Sequence, residues 1–348
     1  MDTTTLSLAD AADLASRTLR ASRTSAANAA LVAEMLVAAE ADGLPSHGLS
    51  RLPCYADQAL CGKVDGFAVP EVRTLSPAAA FVDARDGFAR PAIVEAERRG
   101  LALAGQAGVA LVTIGRSHHF GAAGFHAERI AEEGAVVLAC GNTPAAVAPW
   151  GGRAPLYGTN PLAFACPRVG KPPLVIDMSL SHVARGKIML ARDKGTAIPP
   201  DWALNAAGEA TTDPAEALAG TLLPMGGAKG AALALMVEIL AGALTGSNFG
   251  YEASSFLDAQ GPPPRVGQCF IIIDPRRGAD PQFGERIEAL FDAISAQPGT
   301  RLPGDRRLQA RARAAAQGLA IPSSLYRELT ERAAGSGAGA GVKEQPRA

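Results

Sequence analysis

An excess of charge of either sign is missing from this chain of 348 residues. Its 33 Lys and Arg stand against 34 Asp and Glu, for a formal net charge of −1. No long-range field draws it to DNA, RNA or an anionic membrane surface, although a local patch can still hold a small anion. Cysteine spacing for a staple or a metal is missing as well. The five, Cys54, Cys61, Cys140, Cys166 and Cys269, are odd in number and form no CxxC. This speaks against a disulfide framework or a zinc site and for buried thiols in a reducing compartment. The N-terminus, MDTTTLSLADAADLAS, is acidic early and has neither the basic nor the apolar region of a secretory signal. The expected location is the cytoplasm. The most apolar stretch, residues 230–246, has Lys229 beside it and Glu238 within it, so it reads as a buried core helix and not as a membrane span. There is no internal repeat, and no GxGxxG dinucleotide fingerprint anywhere.

Alternating local patterns fill the rest. Ser7 with Asp10 forms a capping pair ahead of an amphipathic run. A second helix is expected over 25–41, where Leu31 with Met35 and Val32 with Leu36 stack at i,i+4, and Gly43 stops it. Strands are expected at 79–83, 109–114, 135–139, 162–166, 174–177 and 269–274. A helix over 91–107 has proline in its first turn, a polar loop spans 115–119, another helix ends at Gly134, and three short helices follow from about residue 282. The segment 142–158 is dense in Pro and Gly, a composition often found in functional loops. The low-complexity tail GSGAGAGVKEQPRA is expected to be disordered. The fold class is α/β, tending to α+β, with sheet topology left open. The expected organisation is an N-terminal helical region (1–75), a central α/β domain (76–280), a C-terminal helical region (281–334) and the tail (335–348).

Five groups of residues can carry chemistry. In Ser46-His47-Gly48-Leu49-Ser50-Arg51, an imidazole can donate a proton near neutral pH, and a guanidinium can clamp a carboxylate. A helix would put His47 and Arg51 on one face, but Pro53 argues that His47 precedes the helix. The bland reading is a solvated loop. In Ser117-His118-His119-Phe120-Gly121-Ala122-Ala123-Gly124, small residues between a strand and a helix let backbone amides approach a phosphate. A tight turn explains them equally. The adjacent histidines do not face one way on a regular element, so no metal site is expected. Thr159 and Asn160 suit a ligand or turn chemistry alike. Asp177 ends a strand, where it binds a ligand or caps a helix near Ser181. Lys229 beside glycines at a helix start suits phosphate or simply solubilises the helix end. Gly304, Asp305, Arg306 and Arg307 suit a nucleotide phosphate or a solvated turn.

In order along the chain, the pieces SHGLSR, HHFGAAG, NTPAAVAPWGG, GTNPLAF, VIDMS, ARGKI, IPPDWAL, GAKGAAL and LPGDRR resemble the type-2 malate/L-lactate dehydrogenase family. The resemblance runs from about residue 41 to 307. It implies a non-Rossmann nucleotide-binding domain with a mainly antiparallel sheet, flanked by helical regions, in a homodimer. It implies NADPH or NADH as cofactor and a small carboxylate as substrate. Under it His47 is similar to the family's proton donor, Ser46 to its relay partner, Arg51 to the carboxylate clamp and Thr159 to a substrate contact. His119, Phe120, Gly121, Ala122 and Ala123 match the cofactor loop. Asp177, Met178, Ser179, Arg185, Gly186, Lys229, Gly304, Asp305, Arg306 and Arg307 match other cofactor-contacting stretches. Lys187 departs from the pattern, since some imine reductases of the family carry a relay Asp there. The implied function is reduction of a C=N or C=O bond beside a carboxylate. The leading expectation is Δ1-pyrroline-2-carboxylate or Δ1-piperideine-2-carboxylate to L-proline or L-pipecolate. The alternative is a sulfolactate, malate or lactate dehydrogenase. A nucleotide-binding protein without turnover is the reading from another class, and the intact Ser46, His47 and Arg51 argue against it. A hydrolase is disfavoured because neighbours in sequence form a poor nucleophile–base pair.

Overall fold

The computed structural model of the chain describes residues 2–335; the expected tail lies outside them beyond Gly335. The N-terminal body begins with β1 (Thr3–Leu6), α1 (Leu8–Ala21), α2 (Ala26–Ala41) and α3 (Leu52–Cys61). Ser7 caps α1 by accepting from Asp10 N at 3.0 Å, and its hydroxyl donates to the Asp10 carboxylate at 2.7 Å. Such a cap contributes about 1 kcal/mol. Gly43, at φ 77°, ends α2 in the left-handed region that only glycine adopts freely.

The central sheet comes next. Its elements are β2 (Glu71–Ser76), β3 (Ala79–Asp83), α4 (Ala89–Ala107), β4 (Val109–Ser117), α5 (Ala123–Glu132), β5 (Val136–Gly141), β6 (Leu162–Arg168) and β7 (Lys171–Met178). Then follow α6 (Arg185–Lys194), β8 (Ala203–Leu204), α7 (Pro214–Ala219), β9 (Thr221–Leu222) and α8 (Ala228–Val237), before the chain returns to the sheet as β10 (Val266–Ile273). The chain closes with α9 (Phe283–Ser295), α10 (Asp305–Gln317), β11 (Leu319–Pro322) and α11 (Ser323–Ala333). The strand order is β2-β3-β4-β10-β5-β6-β7. Only β3 and β4 run parallel, joined through α4; the other pairings are antiparallel. The mainly antiparallel, non-Rossmann sheet is therefore as the family resemblance implied. One face buries Val112, Ile114, Val137, Phe270 and Ile272 against Ala92, Ile93, Ala127 and Ile130 of α4 and α5.

Four local expectations change. The sheet already begins at Glu71, inside the span assigned to the N-terminal region. The two flanking helical regions share one core, since β1 pairs with β11 and Leu14, Leu36 and Leu52 pack with Ile321 and Leu329. Strand β4 continues to Ser117, which pairs with Val266 across a bulge, so the loop expected from 115 starts later. Residues 230–246 do not form a wholly buried helix. The helix α8 passes into a π-helix over Glu238–Ala243. One side buries Ala234, Val237 and Ala241, while Leu235, Met236, Ile239 and Leu244 face out. An apolar run looks alike whether it faces a core or an open surface. Among the described residues no helix is long and apolar enough to cross a membrane.

Candidate functional site

Between α2 and α3 the chain makes two 3-10 turns, Pro45–His47 and Leu49–Arg51. Pro53 sits in the first turn of α3 and has no N–H to extend the helix backwards. His47 and Arg51 thus converge through turns and not along one α-helical face. Arg51 Nε donates to Ser46 O at 2.6 Å, and Leu49 N donates to the Glu40 carboxylate at 2.8 Å. A Cβ at Gly48 would run into that carboxylate and press on the Glu40 backbone, so a side chain there would displace the Glu40–Leu49 bond. Ser46 Oγ lies 3.1 Å from His47 Nδ1, which leaves Nε2 as the free ring nitrogen. The surrounding protein, and next the charge of Arg51, hold the His47 imidazole down to about 4.

The two histidines after β4 go separate ways. His119 Nδ1 lies 2.6 Å from Tyr55 Oη, and its ring stacks on that of His47 at 5.7 Å. His118 points into the rings of Tyr55, Phe88 and Phe256. Neither of its nitrogens has a partner among the described residues. Burial above all pushes its imidazole from 6.5 down to about 3. Between those values the unfolded chain binds a proton that the folded chain does not. The resulting stability is present above the window and lost as pH falls through it. His118→Phe is expected to raise the melting temperature at pH 5 and to shrink its drop between pH 7 and pH 5. Equal drops in variant and parent would remove His118 from the acid response.

A cavity of about 670 Å³ opens beside this pair. It is lined by His119, Phe120, Gly121, Ala122, Ala123, Thr159, Asp177, Met178, Ser179, Gly304, Arg306 and Arg307, all singled out from the sequence, together with Asp42, Thr143 and Arg313, which were not. A second cavity, about 320 Å³, adjoins it and is lined by Ser46, His47, Arg51, Thr159, Arg185 and Gly186 with Phe256 and Met189. His47, His119, Thr159 and Ser179 belong to both walls. Two of the residues matched to the family stay outside both: Lys229 is exposed in the first turn of α8, and Asp305, the first residue of α10, accepts from Leu302 N of the preceding loop at 3.0 Å. Arg185 faces the smaller cavity, while Lys187 is exposed and lines neither.

Several expectations about charge are revised by the pairing. Asp177 caps α5, not a helix near Ser181, accepting from Gly124 N at 2.7 Å. Its carboxyl, pushed up chiefly by desolvation at the cavity wall, occupies the helix start expected to suit a phosphate. That end of the cavity suits hydroxyl groups better, because a carboxylate accepts from them and repels phosphate. At the other end Arg307 bonds Glu128 at 2.6 and 2.8 Å and Asp42 at 3.0 Å, in a cluster with Arg311. Its charge is compensated. Arg306 and Arg313 line the cavity with no ion-pair partner among the described residues. Asn160 is fully buried at φ 41° and serves the protein: its amide nitrogen donates to Ala234 O and Glu238 Oε1, both at 3.0 Å, and its oxygen accepts from Thr143 N. Glu238 also accepts from Gly158 N and Gly250 N. This buried carboxylate fixes the turn that presents Thr159.

A family described as Malate/L-lactate dehydrogenase matches residues 6–330. The chain is 50% identical to a (2R)-3-sulfolactate dehydrogenase (NADP(+)) of Chromohalobacter salexigens, over 93% of this chain and 96% of that one. It is 42% identical to a Delta(1)-pyrroline-2-carboxylate reductase of Burkholderia multivorans, over 94% and 97%. Its structure is similar to the crystal structure of delta1-piperideine-2-carboxylate reductase from Pseudomonas syringae, with a TM-score of 0.90 and 40% identity, covering 94% of this chain and 99% of that one.

Proposed function

This chain belongs to the malate/L-lactate dehydrogenase family, and from that premise we propose that it reduces a C=O or C=N bond beside a carboxylate with NADPH. The observation that carries the reading is the junction itself. His47 and His119 line both a cavity large enough for a dinucleotide and a smaller one that holds Arg51. The donor set fits the cofactor, with Asp177 for ribose hydroxyls and Arg306 and Arg313 for phosphate. When bound, the nicotinamide supplies hydride. Arg51 holds the substrate carboxylate and Ser46 restrains the His47 ring. A carboxylate on Arg51 cancels the charge that helps hold the imidazole down and sets an anion beside it. Substrate binding therefore brings a proton to His47, whose Nε2 delivers it to the developing alkoxide or amine.

Two substrates have support. A cyclic imino acid, the leading expectation from the sequence, fits the apolar wall of Phe256, Met189 and Pro144, and several relatives carry that activity in their names. A 2-oxo acid with a second anion, sulfopyruvate above all, fits the second guanidinium of Arg185 in the same cavity. Lys187 in place of a relay Asp and the 50% identical sulfolactate dehydrogenase point the same way. A panel of both cyclic imines, pyruvate, oxaloacetate and sulfopyruvate, each with NADPH and NADH, separates them by kcat/KM. Sulfopyruvate turned over far faster than either imine establishes the dehydrogenase; the reverse ratio establishes the imine reductase. Absence of turnover throughout leaves a nucleotide binder and removes the enzymatic reading.

We also assign a cytoplasmic homodimer. The thiols are all free among the described residues, which suits a reducing compartment. Leu235 (45%), Met236 (53%), Ile239 (51%) and Leu244 (52%) of the α8 and π-helix face remain exposed in one chain, and a contiguous apolar face of this kind suits a second copy. Light scattering at micromolar protein is expected to give twice the chain mass; a fully active monomer contradicts the dimer.

A further inference from the structure

Tyr55 and His119 have no part in the chemistry derived so far, yet they form the tightest buried side-chain contact beside it. Tyr55 lies on α3 and is 1% exposed. Its hydroxyl has one side-chain partner among the described residues, His119 Nδ1 at 2.6 Å. Both groups are neutral in this setting: burial raises the phenol above its ordinary value, and burial followed by Arg51 takes the imidazole well below its own. A neutral phenol carries one proton and must place it. If Nδ1 also carried a proton, the phenol hydrogen would be left in a dry contact without an acceptor, the costlier arrangement. Tyr55 therefore donates, Nδ1 accepts, and the ring proton of His119 sits on Nε2.

That nitrogen has no protein partner among the described residues, while its ring lines both cavities. The ring of His47 lies near-parallel, at 5.7 Å and 23° between planes, and no hydrogen bond joins the two imidazoles among the described residues. Phe256 packs against the same ring, tilted, at 5.1 Å. The Nε2–H is thereby left to the cavities its ring lines, the smaller of which it shares with Arg51 and Thr159. We propose that His119 donates this hydrogen bond to the carboxylate of the bound substrate, and that Tyr55 is the positioning residue that fixes the donating tautomer. This rests on the reading that the cavity takes a 2-oxo or 2-imino acid. It separates two jobs that adjacent imidazoles could share: His47 moves a proton, and His119 binds without titrating.

Nitrogen-15 NMR of the histidine-labelled full chain saturated with NADP+ tests it, using oxamate as an unreactive 2-oxo-acid mimic. The His119 signals, assigned by their loss in His119→Gln, are expected to show a protonated Nε2 and an accepting Nδ1. Oxamate is expected to shift the Nε2–H. Tyr55→Phe is expected to mix the tautomers and to raise KM for the acid about threefold to tenfold with kcat held, the size of one weakened hydrogen bond to a charged group. His119→Ala is expected to raise KM further, and His119→Gln, which keeps an N–H near the same point, to recover most of the loss. A protonated Nδ1 in the parent protein overturns the proposal. So does oxamate binding that leaves the His119 signals unmoved, or a fall in kcat at constant KM in Tyr55→Phe. If no acid is turned over but the tautomer and the oxamate shift hold, the proposed enzyme activity fails and the donor assignment stands.

Discussion

Replacing His47 by Gln is expected to lower the rate of reduction by about a hundredfold to ten-thousandfold, the usual contribution of a positioned general acid. NADPH binding should survive, because the cavity wall is otherwise unchanged and Gln keeps the volume. The pH dependence carries the finer test. In the free protein the imidazole is held down to about 4, so it is neutral at pH 7. For a 2-oxo acid, kcat/KM reports the free enzyme. Its protonated fraction falls about tenfold for each pH unit above that value, and kcat/KM for reduction should fall with it from pH 6 to pH 8. With substrate bound, the carboxylate raises the imidazole, so kcat should stay level to a higher pH. Oxidation of the hydroxy acid needs the neutral ring and should not show the fall. A profile as steep in His47→Gln as in the parent would assign the proton to another group.

Reversing the charge at Arg306 is the second large effect. Arg306→Glu is expected to weaken NADPH by about tenfold to hundredfold, since a charge-assisted phosphate contact typically contributes about 1.5–3 kcal/mol. NADH, which lacks the extra phosphate, should lose much less. Arg307→Ala should behave differently although its position is adjacent. It uncovers the buried carboxylates of Asp42 and Glu128, and breaking a buried pair commonly costs about 3–5 kcal/mol of stability. Arg311 still contacts both acids and moderates that loss. Titrating both nucleotides against both variants, with melting temperatures alongside, checks the pair. Equal losses for NADPH and NADH in Arg306→Glu would move the discriminating phosphate elsewhere.

What could be read from the sequence was whatever the chain sets over a few residues. The Ser7 cap, the span of α2, the sheet strands other than β2 and the three closing helices follow from side-chain periodicity and end signals, which act within a turn or two. The site segments were legible as ordered motifs, and the cavity walls gather most of them. The sequence was silent on which charge meets which. Asp177 reaches Gly124 N across 53 positions, Tyr55 reaches His119 across 64, and Arg307 reaches Asp42 across 265. Nothing in the local pattern at Arg306 and Arg307 distinguishes the free guanidinium from the compensated one. Likewise the apolar run after Lys229 carries the same period whether it meets a core, a partner or water. The sequence alone thus determined most of the larger elements, the ordered motifs and the type of chemistry. The tertiary structure decided which carboxylate neutralises which cation, which imidazole nitrogen is free, and which apolar face stays open. Those outcomes depend on distances between segments far apart in the chain, and such distances exist only once the chain has folded.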